Sequence, residues 1–187
     1  MPASRATLMH DTPLRLFFAL WPAADSALAL HALARRIADD SGGRAMRAET
    51  LHMTLAFLGD VPANRVDTLC AMAARVRVSA FSFQVDGLRQ WPRGGLVVAT
   101  PSAPLQALRD LFTQVRELAR DAQCRLDAGL PSPHVTLVRN ANRNAQLPAM
   151  AAVDWQADSF VLMASTLQAD GARYREVARW PLLAATP

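Results

Sequence analysis

Two histidines of this 187-residue chain stand in the same local context. His52 lies in "LHMTLAFLG" and His134 in "SPHVTLVRN", so each is followed by an apolar residue, a threonine and a leucine. Side chains along a β-strand alternate between its two faces, which puts a histidine and the threonine two positions later on the same face. Each motif therefore predicts an imidazole beside a hydroxyl, formed by His52 with Thr54 and by His134 with Thr136.

Two imidazole–hydroxyl pairs suit concerted acid–base catalysis. One neutral imidazole takes a proton from water while the other, protonated, donates one to a leaving oxygen, and a pKa near ~6.5 makes both forms available at neutral pH. In-line displacement at phosphorus needs such groups on opposite sides, and the threonine hydroxyls can bind the equatorial oxygens. We therefore predict that His52, Thr54, His134 and Thr136 are catalytic residues acting on a phosphoester.

Other uses of the two histidines fit the sequence less well. Zinc needs three or four protein ligands, and no third histidine or cysteine and no patterned carboxylate accompanies the pair. A serine- or cysteine-type triad has one histidine and one carboxylate that orients it. We expect neither a metal nor another cofactor. A non-catalytic RNA-binding module with structural histidines is a third alternative, but binding alone would tolerate arginine or lysine at both positions.

The composition favours an anionic partner and a reducing compartment. The net charge is +4, and all 20 basic residues are arginines, whose guanidinium groups bind phosphate in pairs of hydrogen bonds and stack on bases. No apolar run approaches the ~20 residues that span a membrane, and the first dozen residues do not resemble a secretory signal. Cys70 and Cys124 have neither metal-site spacing nor a disulfide framework. We expect a cytoplasmic monomer without a membrane partner.

Apolar runs and amphipathic segments alternate along the chain in two similar halves. Each half contains a helix, a strand that carries one histidine motif and further strands, and "ADG" near the end joins a closing hairpin. This order predicts an α+β fold in which two antiparallel sheets, flanked by helices, face each other across a cleft with both motifs at its centre. Residues 1–13 are predicted to be a flexible tail, and residues 14–187 a single bilobal domain.

The two motifs resemble the signatures of the 2H phosphoesterases. The opening "RLFFALWP" and the ending "STLQADGARYREVARWPL" are similar more specifically to bacterial and archaeal RNA 2′,3′-cyclic phosphodiesterases, also labelled 2′-5′ RNA ligases. The resemblance implies the same bilobal fold, no metal requirement, and opening of a terminal 2′,3′-cyclic phosphate on RNA to a 2′-phosphomonoester. A small nucleotide such as ADP-ribose 1″,2″-cyclic phosphate is an alternative substrate. Such proteins usually carry an aromatic in the strand "LVVAT", where this chain has Val98 and Ala99.

Two further residues are predicted to bind substrate. Strict alternation from His134 places positions 134, 136 and 138 on the cleft face, so Arg139 would nominally point away. The following "NANRN" is rich in turn-forming residues, and we expect Arg139 to fold back over the cleft rim and contact the phosphate or the terminal base. Phe17 and Phe18 lie on opposite faces of the first strand, and Phe18 is our candidate for a base-stacking platform.

Overall fold

A computed structural model describes residues 12–91, 93–103, 105–126, 132–143, 145–169 and 171–184. Most of the tail predicted over residues 1–13 lies outside the described residues, which begin at Thr12.

Three α-helices and ten β-strands are present in the described ranges. The helices are α1 (Ala24–Ser41), α2 (Val66–Ala73) and α3 (Gln106–Asp121). The strands are β1 (Leu14–Leu20), β2 (Arg44–Ala45), β3 (Met53–Val61), β4 (Phe81–Val85), β5 (Gly87–Trp91), β6 (Leu96–Thr100), β7 (Val135–Arg139), β8 (Val153–Ala157), β9 (Ser159–Gln168) and β10 (Gly171–Pro181).

Eight of these strands form one antiparallel sheet, in the order β10-β9-β1-β3-β7-β6-β5, with β2 paired to β7. Strands β4 and β8 form a second, two-stranded antiparallel sheet. The α+β class with two antiparallel sheets is confirmed. The two halves that carry the motifs both belong to the large sheet, where β3 and β7 pair only between Met53 and Val135. Each of these residues directly follows a motif histidine, so both motifs begin at the junction of the halves.

The hydrophobic core lies on one face of the large sheet. Leu16, Phe18 and Leu20 of β1 point into it by the alternation of the strand, and α1 adds Leu30 and Ile37 at helical spacing. Helix α3 packs on the same core with a stripe of residues three and four apart, namely Leu108, Leu111, Phe112, Val115, Leu118 and Ala119. Because helices cover this face, the opposite face of the sheet is left to form the cleft.

Two segments differ from the elements that the sequence pattern indicates. The stretch 81–91 reads as a single half-buried strand, but its first part pairs with β8 and its second part with β6 in the large sheet. The sequence pattern predicts a helix from about Ala63 to Val78, but α2 ends at Ala73, and the chain beyond it pairs with the C-terminal segment instead, where the amide of Leu183 donates to the carbonyl of Val78 (2.9 Å). Among the described residues, no helix is long and apolar enough to cross a membrane.

Candidate active site

The floor of the cleft is built by the side chains of β1 that point away from the core. Phe17 and Ala19 form a small cluster there with Val161 and Met163 of the neighbouring strand β9, and Trp21 packs against it. Positions 17, 19 and 21 share a face because side chains alternate along the strand. The first strand therefore supplies both a core face and an aromatic floor for the cleft.

Strand β7 does not keep the strict alternation predicted for it. Its pairing with β6 matches Thr136 with Val98 and Val138 with Val97, which leaves Leu137 without an opposite residue. Such a bulge reverses the face of the positions beyond it. Val138 is fully buried in the core and Arg139 lines the cleft. The alternation is therefore broken within β7, and position 138 faces the core rather than the cleft.

Strand β3 carries a bulge at the matching place. Its pairing with β1 matches Ala19 with Thr54 and Phe18 with Ala56, so Leu55 has no opposite residue. The consequence is the same as in β7: Leu55 and Ala56 are buried and Phe57 lines the cleft. In both motifs the histidine, the residue at +2 and the residue at +5 face the cleft, and the residue at +5 is Phe57 in one half and Arg139 in the other.

A cavity of about 500 Å³ occupies the cleft. His52, Thr54, His134 and Thr136 all line it, together with Arg139. The structure thus brings together every sequence-predicted site residue except Phe18. Several other residues line the cavity without a signal in the sequence motifs, among them Arg15, Arg44, Arg47, Phe57 and Tyr174.

The two imidazoles are held in the same way. The Nδ1–H of His52 donates to the carbonyl oxygen of Thr50 (2.8 Å), and the Nδ1–H of His134 donates to that of Ser132 (2.7 Å). A carbonyl only accepts hydrogen bonds, so the proton of the neutral ring is placed on Nδ1 and the lone pair on Nε2. In each motif the partner is the residue two positions before the histidine. Both rings can therefore take or give a proton at Nε2.

Aromatic rings enclose the histidines. The indole of Trp21 stacks on His52 with centroids 5.1 Å apart and 8° between the planes, while Phe17 and Tyr174 contact the same imidazole at 4.9 and 5.2 Å. Trp91 lies 4.4 Å from His134. Alternation from Phe17 to position 21 could have indicated Trp21. Trp91 is thus the aromatic near the second motif, while Val98 and Ala99 of "LVVAT" are buried in full.

Burial lowers the pKa of both histidines. The pKa of His52 falls to about 4, mainly because burial disfavours its charged form, and to a smaller extent because His134 and Arg139 repel it, while the Thr50 carbonyl acts in the opposite direction. The pKa of His134 is also lowered by burial, against the effect of the Ser132 carbonyl. Both imidazoles therefore favour the neutral form at neutral pH, and burial opposes protonation of His52 most strongly.

Phe18 does not take the role predicted for it. Its side chain is fully buried and packs on Phe160 and Trp180 in the core, with ring centroids 6.1 and 5.9 Å away. A ring enclosed in this way has no face to offer a base. Phe17, which points the other way, lines the cleft instead.

Potential metal ligands are sparse in this structure. Among the described residues, no group of three or more His, Cys, Asp or Glu side chains lies close enough together to hold a metal ion. The absence of a metal requirement remains a prediction that a measurement has to test.

Comparison with known proteins places the chain in a family. Residues 20–98 match the model of the LigT-like phosphoesterases. The chain is 32% identical over 173 residues to the RNA 2′,3′-cyclic phosphodiesterase of Escherichia coli (strain K12), covering 91% of this chain and 97% of the relative. It is 25% identical over 179 residues to the protein of that name from Thermus thermophilus, covering 90% of each.

A solved structure agrees with these relatives. The crystal structure of E. coli LigT complexed with 3′-AMP superimposes with a TM-score of 0.85 at 30% identity, covering 91% of this chain and 98% of the other. The match extends over nearly the whole chain and includes both motif-bearing halves. This chain therefore belongs to the LigT-like phosphoesterase family.

Proposed function

We propose that the chain is an RNA 2′,3′-cyclic phosphodiesterase that hydrolyses a terminal 2′,3′-cyclic phosphate to a 2′-phosphomonoester. One observation carries the proposal: two imidazoles, each with Nδ1 fixed by a backbone carbonyl, line the same cavity as two threonine hydroxyls. The relatives named RNA 2′,3′-cyclic phosphodiesterase and the nucleotide held by the similar E. coli structure support it.

The stronger effect of burial on His52 indicates a role for each histidine. His52 has the more strongly disfavoured cation and acts as the general base, taking a proton at Nε2 from the attacking water. The water oxygen bonds to phosphorus as the bond from phosphorus to the 3′ oxygen breaks. His134, protonated in the productive complex, gives its Nε2 proton to that oxygen. The products are a 3′ hydroxyl and a 2′ phosphate.

The remaining polar groups of the cleft act on the phosphate itself. Thr54 and Thr136 donate hydrogen bonds from their hydroxyls to the oxygens that do not leave, where negative charge accumulates in the transition state. Arg139 adds a positive charge next to them. A bound phosphodiester anion also raises the pKa of a neighbouring imidazole, which favours protonation of His134 once substrate is in place.

We infer that the enzyme acts in the cytoplasm as a monomer and needs no metal. Both cysteines, Cys70 and Cys124, are free thiols, in agreement with a reducing compartment. Sedimentation of the purified protein tests the monomeric state, which a stable dimer would contradict.

The decisive experiment is hydrolysis of cytidine 2′,3′-cyclic phosphate and of an oligonucleotide with the same end, in excess chelator. We expect the product mass to rise by one water molecule, and chromatography against 2′- and 3′-phosphate standards to identify the 2′ isomer. A 3′-phosphate product would show that the 2′ oxygen, and not the 3′ oxygen, is the leaving group. Loss of activity in chelator that an added metal restores would contradict the two-histidine mechanism.

A further inference from the structure

The cleft carries more positive charge than one cyclic phosphate requires. Arg15, Arg44, Arg47 and Arg139 line the cavity beside the histidines, and no aspartate or glutamate is among the lining residues that the structure describes. Glu49 offsets one of these charges, because its carboxylate lies 3.2 Å from Arg47. A 2′,3′-cyclic phosphate is a diester with a single negative charge. Arg139 can meet that one charge, so the second guanidinium, that of Arg15, indicates a second anionic group in the same cleft.

Arg15 is placed to meet such a group at a distance from the reacting phosphorus. It lies on β1 opposite Asp60, towards the end of β3 that is farther from His52. The guanidinium carbon is 4.8 Å from the centroid of the Phe57 ring. Phe57 follows Thr54 by three residues, which is up to ~10 Å along a strand. Arg15 thus lies in the part of the cleft that is farther from His52, whereas Arg139 belongs to the second motif.

The contact with Phe57 orients the guanidinium without using its hydrogen-bond donors. A cation over an aromatic face is attracted by the ring, while the N–H groups at the edge of the guanidinium stay available to bind two phosphate oxygens. Phe57 pairs across the strands with Phe17, whose ring contacts His52 at 4.9 Å. The aromatic floor is therefore continuous from the imidazole to Arg15.

Tyr174, whose ring lies 5.2 Å from that of His52, is within reach of Arg15 as well as of the catalytic part of the cleft. Burial raises the pKa of its phenol, and the charges of Arg139, Arg15 and Arg47 act in the opposite direction, which they can do only from nearby. An RNA strand that extends from the two histidines along the aromatic floor would therefore come close to Arg15.

We propose that Arg15, held on Phe57, binds the phosphodiester that joins the terminal nucleotide to its upstream neighbour, so that the cleft is built for an RNA end of at least two nucleotides. This inference rests on the proposed function, because it assumes that the cyclic phosphate sits between His52 and His134. The cavity of about 500 Å³ lies within the ~300–1,000 Å³ range of sites that enclose a small organic ligand. A pyrophosphate of a small nucleotide is the competing source of a second anion.

Three substrates separate these sources: cytidine 2′,3′-cyclic phosphate, a dinucleotide that ends in the same cyclic phosphate, and ADP-ribose 1″,2″-cyclic phosphate. We expect Arg15→Ala to lower kcat/KM for the dinucleotide about 10-fold relative to kcat/KM for the mononucleotide, the scale of one lost charge-assisted contact. Arg15→Lys keeps the charge but not the planar stack, and its effect should be intermediate. Arg89→Ala is the matched control, since Arg89 is exposed on β5 and outside the cavity lining.

Binding provides a readout that does not depend on turnover. Affinity for a single-stranded oligonucleotide with a 2′-phosphate end, measured by isothermal titration at several salt concentrations, should depend less on salt in Arg15→Ala. The slope of log affinity against log salt should fall by ~0.7 for one lost phosphate contact on a single strand. An unchanged substrate ratio and an unchanged slope would overturn the inference. A loss confined to the ADP-ribose substrate would also overturn it. If the wild-type protein hydrolyses none of the three substrates, the proposed function fails, and the salt slope still decides the role of Arg15.

Discussion

The indole of Trp21 and the imidazole of His52 lie face to face, 5.1 Å apart and within 8° of parallel. Trp91 stands 4.4 Å from His134 at the other motif, tilted by 55°. Each imidazole is therefore held by a backbone carbonyl at Nδ1 and by an indole against its ring. Two contacts of different direction fix the ring plane, and with it the position of Nε2 relative to the phosphorus.

We expect Trp21→Ala to lower kcat by about 10-fold with a smaller change in KM, because a ring free to turn spends less time aligned for proton transfer. The same substitution admits water to His52, so its pKa should move up from about 4 towards the ordinary value. Steady-state kinetics over a range of pH measures both effects. Trp21→Phe keeps a stacking ring and serves as the conservative control. An unchanged pH dependence in Trp21→Ala would reduce Trp21 to a packing residue.

The histidines themselves should account for the largest losses. We expect His52→Ala and His134→Ala each to reduce kcat by about 10²–10⁴-fold, the usual contribution of a general acid or base, and the double variant to be little worse than either single one. Thr54→Ala and Thr136→Ala should cost less, since each removes one hydrogen bond to phosphate. Circular dichroism checks that the variants fold. Full activity in either single histidine variant would contradict the mechanism.

The repeated motif predicted the chemistry of the site because the spacing of its residues within one strand is enough to place them on the same face. Histidine and threonine two residues apart share a face in any strand, so His52, Thr54, His134 and Thr136 could be placed together before the fold was known. The fold class followed from the order of elements for a similar reason. Strand β2, with two residues, is too short to leave a periodic pattern.

Positions beyond the motifs could not be read from alternation, because a bulge breaks it. The extra residue in β7 is Leu137, which looks like any other apolar strand residue, and it moves Val138 into the core and Arg139 into the cleft. Phe17 and Phe18 posed a different problem. Both are large and apolar, so the pattern does not say which one faces the core. The choice depends on the pairing of β1 with its neighbours, which is set by residues distant in sequence.

The rate should depend on pH in a bell shape that lies on the acid side of neutrality. In the free enzyme the lower limb reports His52, whose pKa is about 4, and the upper limb reports His134, whose pKa burial lowers from its ordinary value of ~6.5. Measurement of kcat/KM from pH 3.5 to 10 with the mononucleotide substrate gives both limbs. A rate that climbs steadily to pH 10 would point to hydroxide as the nucleophile and contradict the assignment.

The low pKa of His52 also makes folding stability depend on pH. The unfolded chain binds a proton at this residue below pH ~6.5 and the folded chain only near pH 4, so between these values the unfolded state holds more protons and the free energy of unfolding falls as the pH falls. We expect a loss on the order of 2 kcal/mol from this group between pH 7 and 5. Urea unfolding at both pH values tests it, with His52→Gln as the control that stays neutral. If the free energy of unfolding of His52→Gln falls by the same amount, the buried neutral imidazole of His52 is not the cause of the pH dependence.

Arg139 allows the most specific test of substrate binding in the catalytic part of the cleft. The bulge at Leu137 directs its side chain into the cavity that holds both histidines, and its charge reaches His52. A guanidinium there binds the phosphate in the ground state and the transition state alike, so Arg139→Ala should raise KM about 10-fold or more while kcat falls less.

Arg139→Lys should restore little if the planar group stacks on the terminal base, and most of the affinity if only charge is needed. Kinetics on the cyclic-phosphate oligonucleotide distinguishes the two, with Arg143→Ala as the control, since Arg143 is exposed and outside the cavity lining. If both Arg139 variants keep the wild-type KM, the guanidinium lines the cleft without binding the substrate.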